Sequence, residues 1–136
     1  IIYITRSLLY VCSMKYIFVC SLVVLFSSCY QIERNCSDFK TGTFESVITI
    51  DGNLYKSTFS RTSELQVEEF NGVIDSTNVR WINDCEMIFK TIRPKNRAEK
   101  KDIHLKILTT TKDSYRFEYG YVGDTNKQKG DAKRLN

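Results

Sequence analysis

The sequence predicts an all-β domain, an antiparallel meander of about eight short strands, preceded by an N-terminal apolar signal helix. Three observations lead there. From Thr43 onward, apolar and polar residues alternate with period two, and the apolar set is rich in β-branched and aromatic side chains. Short turn sequences separate these runs, including Asp51-Gly52 and Asn71-Gly72, the strongest local signals for a tight hairpin. Eight Tyr and eight Phe against one Pro and six Gly describe a chain that packs a core rather than staying disordered. Regular spacing with hairpin signals reads as an up-and-down barrel or half-barrel, with a sandwich as the alternative.

Taken in order, Thr43 to Ile50 places Phe44, Ser46, Ile48 and Ile50 on one face. After the Asp51-Gly52-Asn53 turn, Leu54 to Arg61 aligns Tyr55, Ser57 and Phe59. Glu64 to Phe70 follows, with Leu65 and Val67 expected inward as the apolar members of the alternation. Asn71-Gly72 turns the chain into a broken strand from Val73 to Ile82, and Cys85 to Ile92 orients Cys85, Met87 and Phe89 together. The connection Arg93 to Asp102 carries the only Pro and room for a helical turn at Asn96 to Lys101. Ile103 to Thr111 then presents Ile103, Leu105 and Ile107, and Tyr115 to Val122 alternates Tyr115, Phe117, Tyr119 and Tyr121 with polar residues. Lys127 to Leu135 closes the sheet.

Ahead of the domain, Met14 and Lys15 lead into an apolar run from Tyr16 to Phe26, then Ser27, Ser28 and Cys29. A charged start, an apolar stretch and small residues form the order of a secretory signal. The cysteine directly after the small pair makes it resemble a bacterial lipoprotein signal, which implies cleavage before Cys29 and lipidation of its thiol. The expected organisation is therefore an upstream extension (1–13), a signal peptide (14–28), a lipidated tether (29–38) and the β domain (39–136). An uninterrupted membrane anchor over 1–28 is the alternative. Arg6 and Lys15 break that run, and what remains is about half a spanning length.

Those two residues account for two of the four net positive charges, so the mature part is close to neutral. That lacks the basic footprint of nucleic-acid binding. Of the five cysteines, Cys12 and Cys20 precede the cleavage point and Cys29 is the lipid site. Cys36 and Cys85 remain, an even number in an exported chain, and are expected to form a disulfide worth about 4 kcal/mol. Two buried free thiols are the alternative.

A catalytic constellation does not emerge. His104 is the only histidine, too few for a transition-metal site or a Ser-His or Cys-His nucleophile system, and no metal or other cofactor is expected. Carboxylates cluster at Glu64, Glu68 and Glu69 and at Asp84 and Glu86; paired acids of this kind run glycoside hydrolysis across a cleft, or are solvated surface charge. Arg93, Lys95, Arg97, Lys100 and Lys101 form a basic connection suited to anionic surfaces, or a solvated loop. The aromatic stripe Tyr115, Phe117, Tyr119 and Tyr121, with Trp81, reads as a ligand-contact face or as half of a core.

The strings CSDFKTGTF (Cys36 to Phe44), VRWINDCE (Val79 to Glu86), IHLKILTT (Ile103 to Thr110) and YRFEY (Tyr115 to Tyr119) resemble a family of short uncharacterised bacterial lipoproteins. The resemblance implies a lipid-anchored envelope protein without assigned chemistry. Such chains sometimes carry a DNA topoisomerase IV label, which an export signal and a near-neutral short domain oppose. Gly42-Thr43-Phe44 and Arg134 are similar to the G-x-W motif and closing Arg of lipocalin-type barrels, with Phe in place of Trp. The expectation is a non-enzymatic protein of the cell envelope, at the outer membrane on its periplasmic or surface face. Its β domain would bind a ligand or an envelope partner. A small hydrolase using acids such as Glu68 or Asp84 and a structural role through an exposed sheet edge are the alternatives.

Overall fold

The computed structural model describes residues 34–135; the expectations for the extension, the signal peptide and Cys29 lie outside the described residues. Eight strands follow in order: β1 (Gly42–Ile50), β2 (Asn53–Arg61), β3 (Leu65–Phe70), β4 (Val73–Asn83), β5 (Glu86–Thr91), β6 (Ile103–Thr110), β7 (Ser114–Tyr121) and β8 (Gln128–Arg134). Each pairs antiparallel with the next, and β8 returns to β1 with Phe44 opposite Arg134 and Ile48 opposite Gly130. The sheet is a closed up-and-down barrel rather than a sandwich. Closure removes the free strand edge on which an edge-pairing assembly role depends.

Local chemistry accounts for the hairpins. Asp51-Gly52 and Asn71-Gly72 all take positive φ, at 50°, 79°, 51° and 77°, the conformation of a two-residue turn matched to strand twist. The connection between β5 and β6 contains a turn closed by the Lys101 amide donating to the Ala98 carbonyl, with no helix formed. β4 runs unbroken from Val73, with a register irregularity between Trp81 and Asn83.

The turns alternate between two ends of the barrel, and one end is plugged. A single 3-10 turn, Cys36–Phe39, lies across it with Cys36 and Phe39 both 1% exposed. The folded domain thus begins before the expected end of the tether at Asp38. Cys36 is bonded to Cys85 in the β4–β5 turn, and the Asn35 amide donates to Thr110 Oγ1 at the β6–β7 end. From β8, the Arg134 guanidinium lies 4.9 Å from the Phe44 ring centroid and donates to the carbonyls of Asp38 and Thr41. Phe39 packs on Tyr115 at 5.1 Å and Phe44 on Phe59 at 5.1 Å, so the plug shares one aromatic cluster with β1, β2 and β7. Burying each such ring contributes roughly 2–3 kcal/mol.

The inward faces are those expected for β1, β2, β5, β6 and β7. β3 is different. Arg61 stands opposite Gln66, and Phe59 opposite Glu68. Cross-strand partners share a face. Phe59 and Arg61 are 4% and 3% exposed inside the barrel, so Gln66 and Glu68 point inward, and Leu65 and Val67 lie half-buried on the outside. The expected inward placement of Leu65 and Val67 fails because hairpin register, not the apolar pattern, sets the face.

Candidate ligand-binding cavity

That inversion builds the site. Between the plug and the loop end, the interior holds a cavity of about 140 Å3. One wall is polar: Ser46 from β1, Ser57 and Arg61 from β2, Gln66 and Glu68 from β3, and Thr77 from β4. The facing wall is apolar, with Phe89, Ile103, Leu105 and Phe117 from β5, β6 and β7, completed by the Tyr115 and Tyr119 rings.

Arg61 forms the floor on the plug side. Its Nε donates to Gln66 Oε1 at 2.8 Å, one terminal nitrogen to the Phe39 carbonyl at 3.4 Å, and the other to the Tyr115 hydroxyl at 3.2 Å. The rings of Phe44, Phe59, Phe89 and Tyr115 surround the guanidinium, Phe59 nearest at 4.9 Å from Cζ. Burial pushes the Tyr115 phenol above its ordinary pKa, with the Arg61 charge and hydrogen bond opposing the shift. The Tyr119 phenol is raised by burial and by the Glu68 charge. Both phenols are neutral donors at physiological pH. Glu68 accepts the Ser57 hydroxyl, which orients one carboxylate oxygen along the polar wall.

Of the aromatic stripe, Tyr115, Phe117 and Tyr119 line this cavity, while Tyr121 does not line it and is 36% exposed. Trp81 packs against the core with its Nε1 buried and without a hydrogen-bond partner among the described residues, under the Lys40 ammonium at 5.3 Å. It does not line the cavity. Arg61, Gln66, Ser46, Ser57 and Thr77 are site residues that the sequence reading did not single out. The signal was present for Arg61, since the face that carries Tyr55, Ser57 and Phe59 continues onto it.

The carboxylates are dispersed. Glu64 and Glu69 are exposed. Asp84 is exposed in the plug-end turn, with Lys40 Nζ 2.7 Å from its Oδ1, whereas Glu68 faces the interior. They do not form a pair across one cleft. Glu86 lies on the outer face between His104 Nε2 at 3.0 Å and Lys106 Nζ at 3.5 Å. Burial works to raise its pKa, but the hydrogen bonds from His104 and Asn83 and the nearby positive charges hold it below the ordinary 4.5. Among the described residues no three His, Cys, Asp or Glu side chains converge as a metal-binding group.

The opposite end of the barrel carries the basic connection. Arg93, Lys95, Arg97, Lys100 and Lys101 are all exposed there, Lys95 Nζ lying 3.4 Å from Asp75 and Lys101 Nζ 5.0 Å from the Tyr121 ring centroid. Exposed apolar side chains gather at the same end: Leu54, Phe70, Val73, Ile74, Ile92 and Val122. A larger, solvent-open groove of about 480 Å3 runs past Ile74, Asp75, Ile92 and Lys95. There Lys95 pairs with Asp75 and Arg93 is exposed to solvent, whereas the interior cavity holds a buried guanidinium whose hydrogen-bond partners among the described residues are neutral, which makes the interior the stronger binding candidate. No family model, no curated protein and no solved structure matches this chain.

Proposed function

We propose that this chain is a small, non-enzymatic ligand-binding barrel, tethered to the bacterial envelope by lipid on Cys29. The observation that carries the binding reading is the cavity itself, plugged at one end, with a polar wall facing an apolar one. The packing of Arg134 on Phe44, beside the 3-10 turn, supports a lipocalin-like reading. The anchor rests on the Met14 to Cys29 pattern. In this reading the lipid-bearing stretch precedes Arg34, the first described residue, whose side chain donates to the Ile107 carbonyl.

Native mass spectrometry of the protein extracted from membranes of a producing bacterium tests both halves. The expected species starts at Cys29 with added acyl mass and carries a small-molecule adduct that Ser57→Phe, which fills the cavity, eliminates. A chain starting at or before Met14 without acyl mass overturns the anchor. An adduct that persists in Ser57→Phe overturns the cavity as the binding site.

A second reading concerns the loop end. The coincidence of exposed apolar side chains with five basic residues favours contact with an anionic surface, a lipid membrane.

A further inference from the structure

Building on the ligand-binding reading, we infer that Arg61 reads charge in this cavity, which takes a small monocarboxylate carried on a compact apolar body. Arg61 is 3% exposed, yet its three hydrogen-bond acceptors among the described residues are all neutral. It takes part in no ion pair among the described residues. Arginine is almost never fully buried without a counter-charge, because a desolvated cation is stabilised mainly by an opposite charge at contact distance. A guanidinium has five N–H donors. Three are used here, one from each nitrogen, leaving one on each terminal nitrogen to reach a carboxylate. The Tyr115 hydroxyl, already bound to Arg61, stands beside it on the cavity wall.

The remaining walls define the rest of the ligand. Phe89, Ile103, Leu105 and Phe117 suit an apolar ring or branched chain. A volume of about 140 Å3 is close to that of cavities known to hold one benzene ring. Glu68 lines the same cavity without forming an ion pair with Arg61, and one of its carboxylate oxygens accepts the Ser57 hydroxyl. Its charge repels a second carboxylate and favours a ligand whose far end is apolar or a hydroxyl donor. A long-chain fatty acid exceeds the space. A single-ring or short branched monocarboxylate fits it.

The test is calorimetric titration of the full chain in neutral detergent with benzoate, its uncharged isostere benzamide, and the dianion terephthalate. Benzoate is expected to bind at least ten times tighter than either comparator. Arg61→Gln abolishes the preference over benzamide, and Tyr115→Phe reduces benzoate affinity a few-fold. Equal binding of benzoate and benzamide to the parent protein overturns the inference while leaving a ligand-binding cavity in place. Binding of none of the three, together with no saturable binding of neutral toluene, removes the ligand-binding reading and the inference with it. Terephthalate binding as tightly as benzoate refutes the assignment to Glu68. Should Arg61→Gln fail to fold, as judged by circular dichroism, the parent benzoate-to-benzamide ratio and the Tyr115→Phe variant decide the outcome.

Discussion

Replacing Cys36 and Cys85 together with Ser removes the covalent link between the plug and the β4–β5 turn. The two cysteines are 49 positions apart. In the chain-entropy treatment, closing a loop of about 50 residues costs the unfolded state roughly 14 cal/mol/K, or about 4 kcal/mol at 25 °C. The native side of the balance keeps other ties to the plug: Arg61 to the Phe39 carbonyl, Arg134 to the Asp38 carbonyl, and the Asn35 amide to Thr110. These hold Phe39 in place, so the loss stays near the entropic figure and the barrel does not collapse. For a domain of this size, about 4 kcal/mol corresponds to a fall in Tm of roughly 15–30 °C. Urea denaturation of the parent and the double Ser variant, followed by far-ultraviolet circular dichroism, measures the difference. A change below about 1 kcal/mol, or peptide mapping that finds Cys36 and Cys85 as free thiols in the non-reduced protein, refutes the reasoning.

Arg134→Ala removes two donations to plug carbonyls and the stacking over Phe44, and is expected to cost about 2–3 kcal/mol in urea denaturation. Arg116→Ala, which breaks an exposed pair with Asp131, shifts the midpoint little. Gly42→Ala is destabilising for two reasons, a backbone at φ 133° and a new methyl group in contact with the Arg134 guanidinium; a midpoint equal to the parent's would contradict the plug geometry. Because the folded pKa of Glu86 lies below its unfolded value, its contribution is fully present above about pH 4.5 and disappears as pH falls through the folded value. Glu86→Gln therefore lowers stability at neutral pH by about 0.5 kcal/mol and flattens the acid-side decline; parallel pH curves for variant and parent would contradict it. Replacing Arg93, Lys95, Arg97, Lys100 and Lys101 with Gln should abolish co-sedimentation with anionic vesicles at low salt, and unchanged sedimentation removes the membrane reading of the loop end.

The strands were legible because a sheet with one face buried imposes period two on its sequence. The chain keeps it through Tyr115–Tyr121 without exception, and through Phe44–Ile50 apart from an inward Ser46 and an outward Val47. Asp51-Gly52 and Asn71-Gly72 fixed two turns for the same physical reason, the positive φ that both positions require. Closure by β8 was legible as a final run, though its inward Gly130 and Ala132 offer little apolar signal of their own. What escaped was the polar half of the interior. Alternation assigns the apolar set inward, and on β3 the inward set is Gln66 and Glu68, chosen by register against Arg61 and Phe59. Period two carried Arg61 onto the inward face of Ser57 and Phe59, but a charged strand-end residue is ordinarily solvated, so its burial showed only in its three-dimensional neighbours. The 3-10 plug escaped for a related reason, since four residues are too few for any periodicity and Phe39 alone carried the hint.

The proposed binding function requires that a small ligand enter the barrel interior. Amide-resolved NMR of the 15N-labelled protein titrated with toluene tests it most directly. Saturable shifts concentrated at Ser46, Phe59, Gln66, Leu105 and Phe117, with the outer-face positions His104 and Arg116 unmoved, are the predicted result. Shifts that never saturate, or that gather around Ile74 and Ile92 on the outer groove, would contradict it.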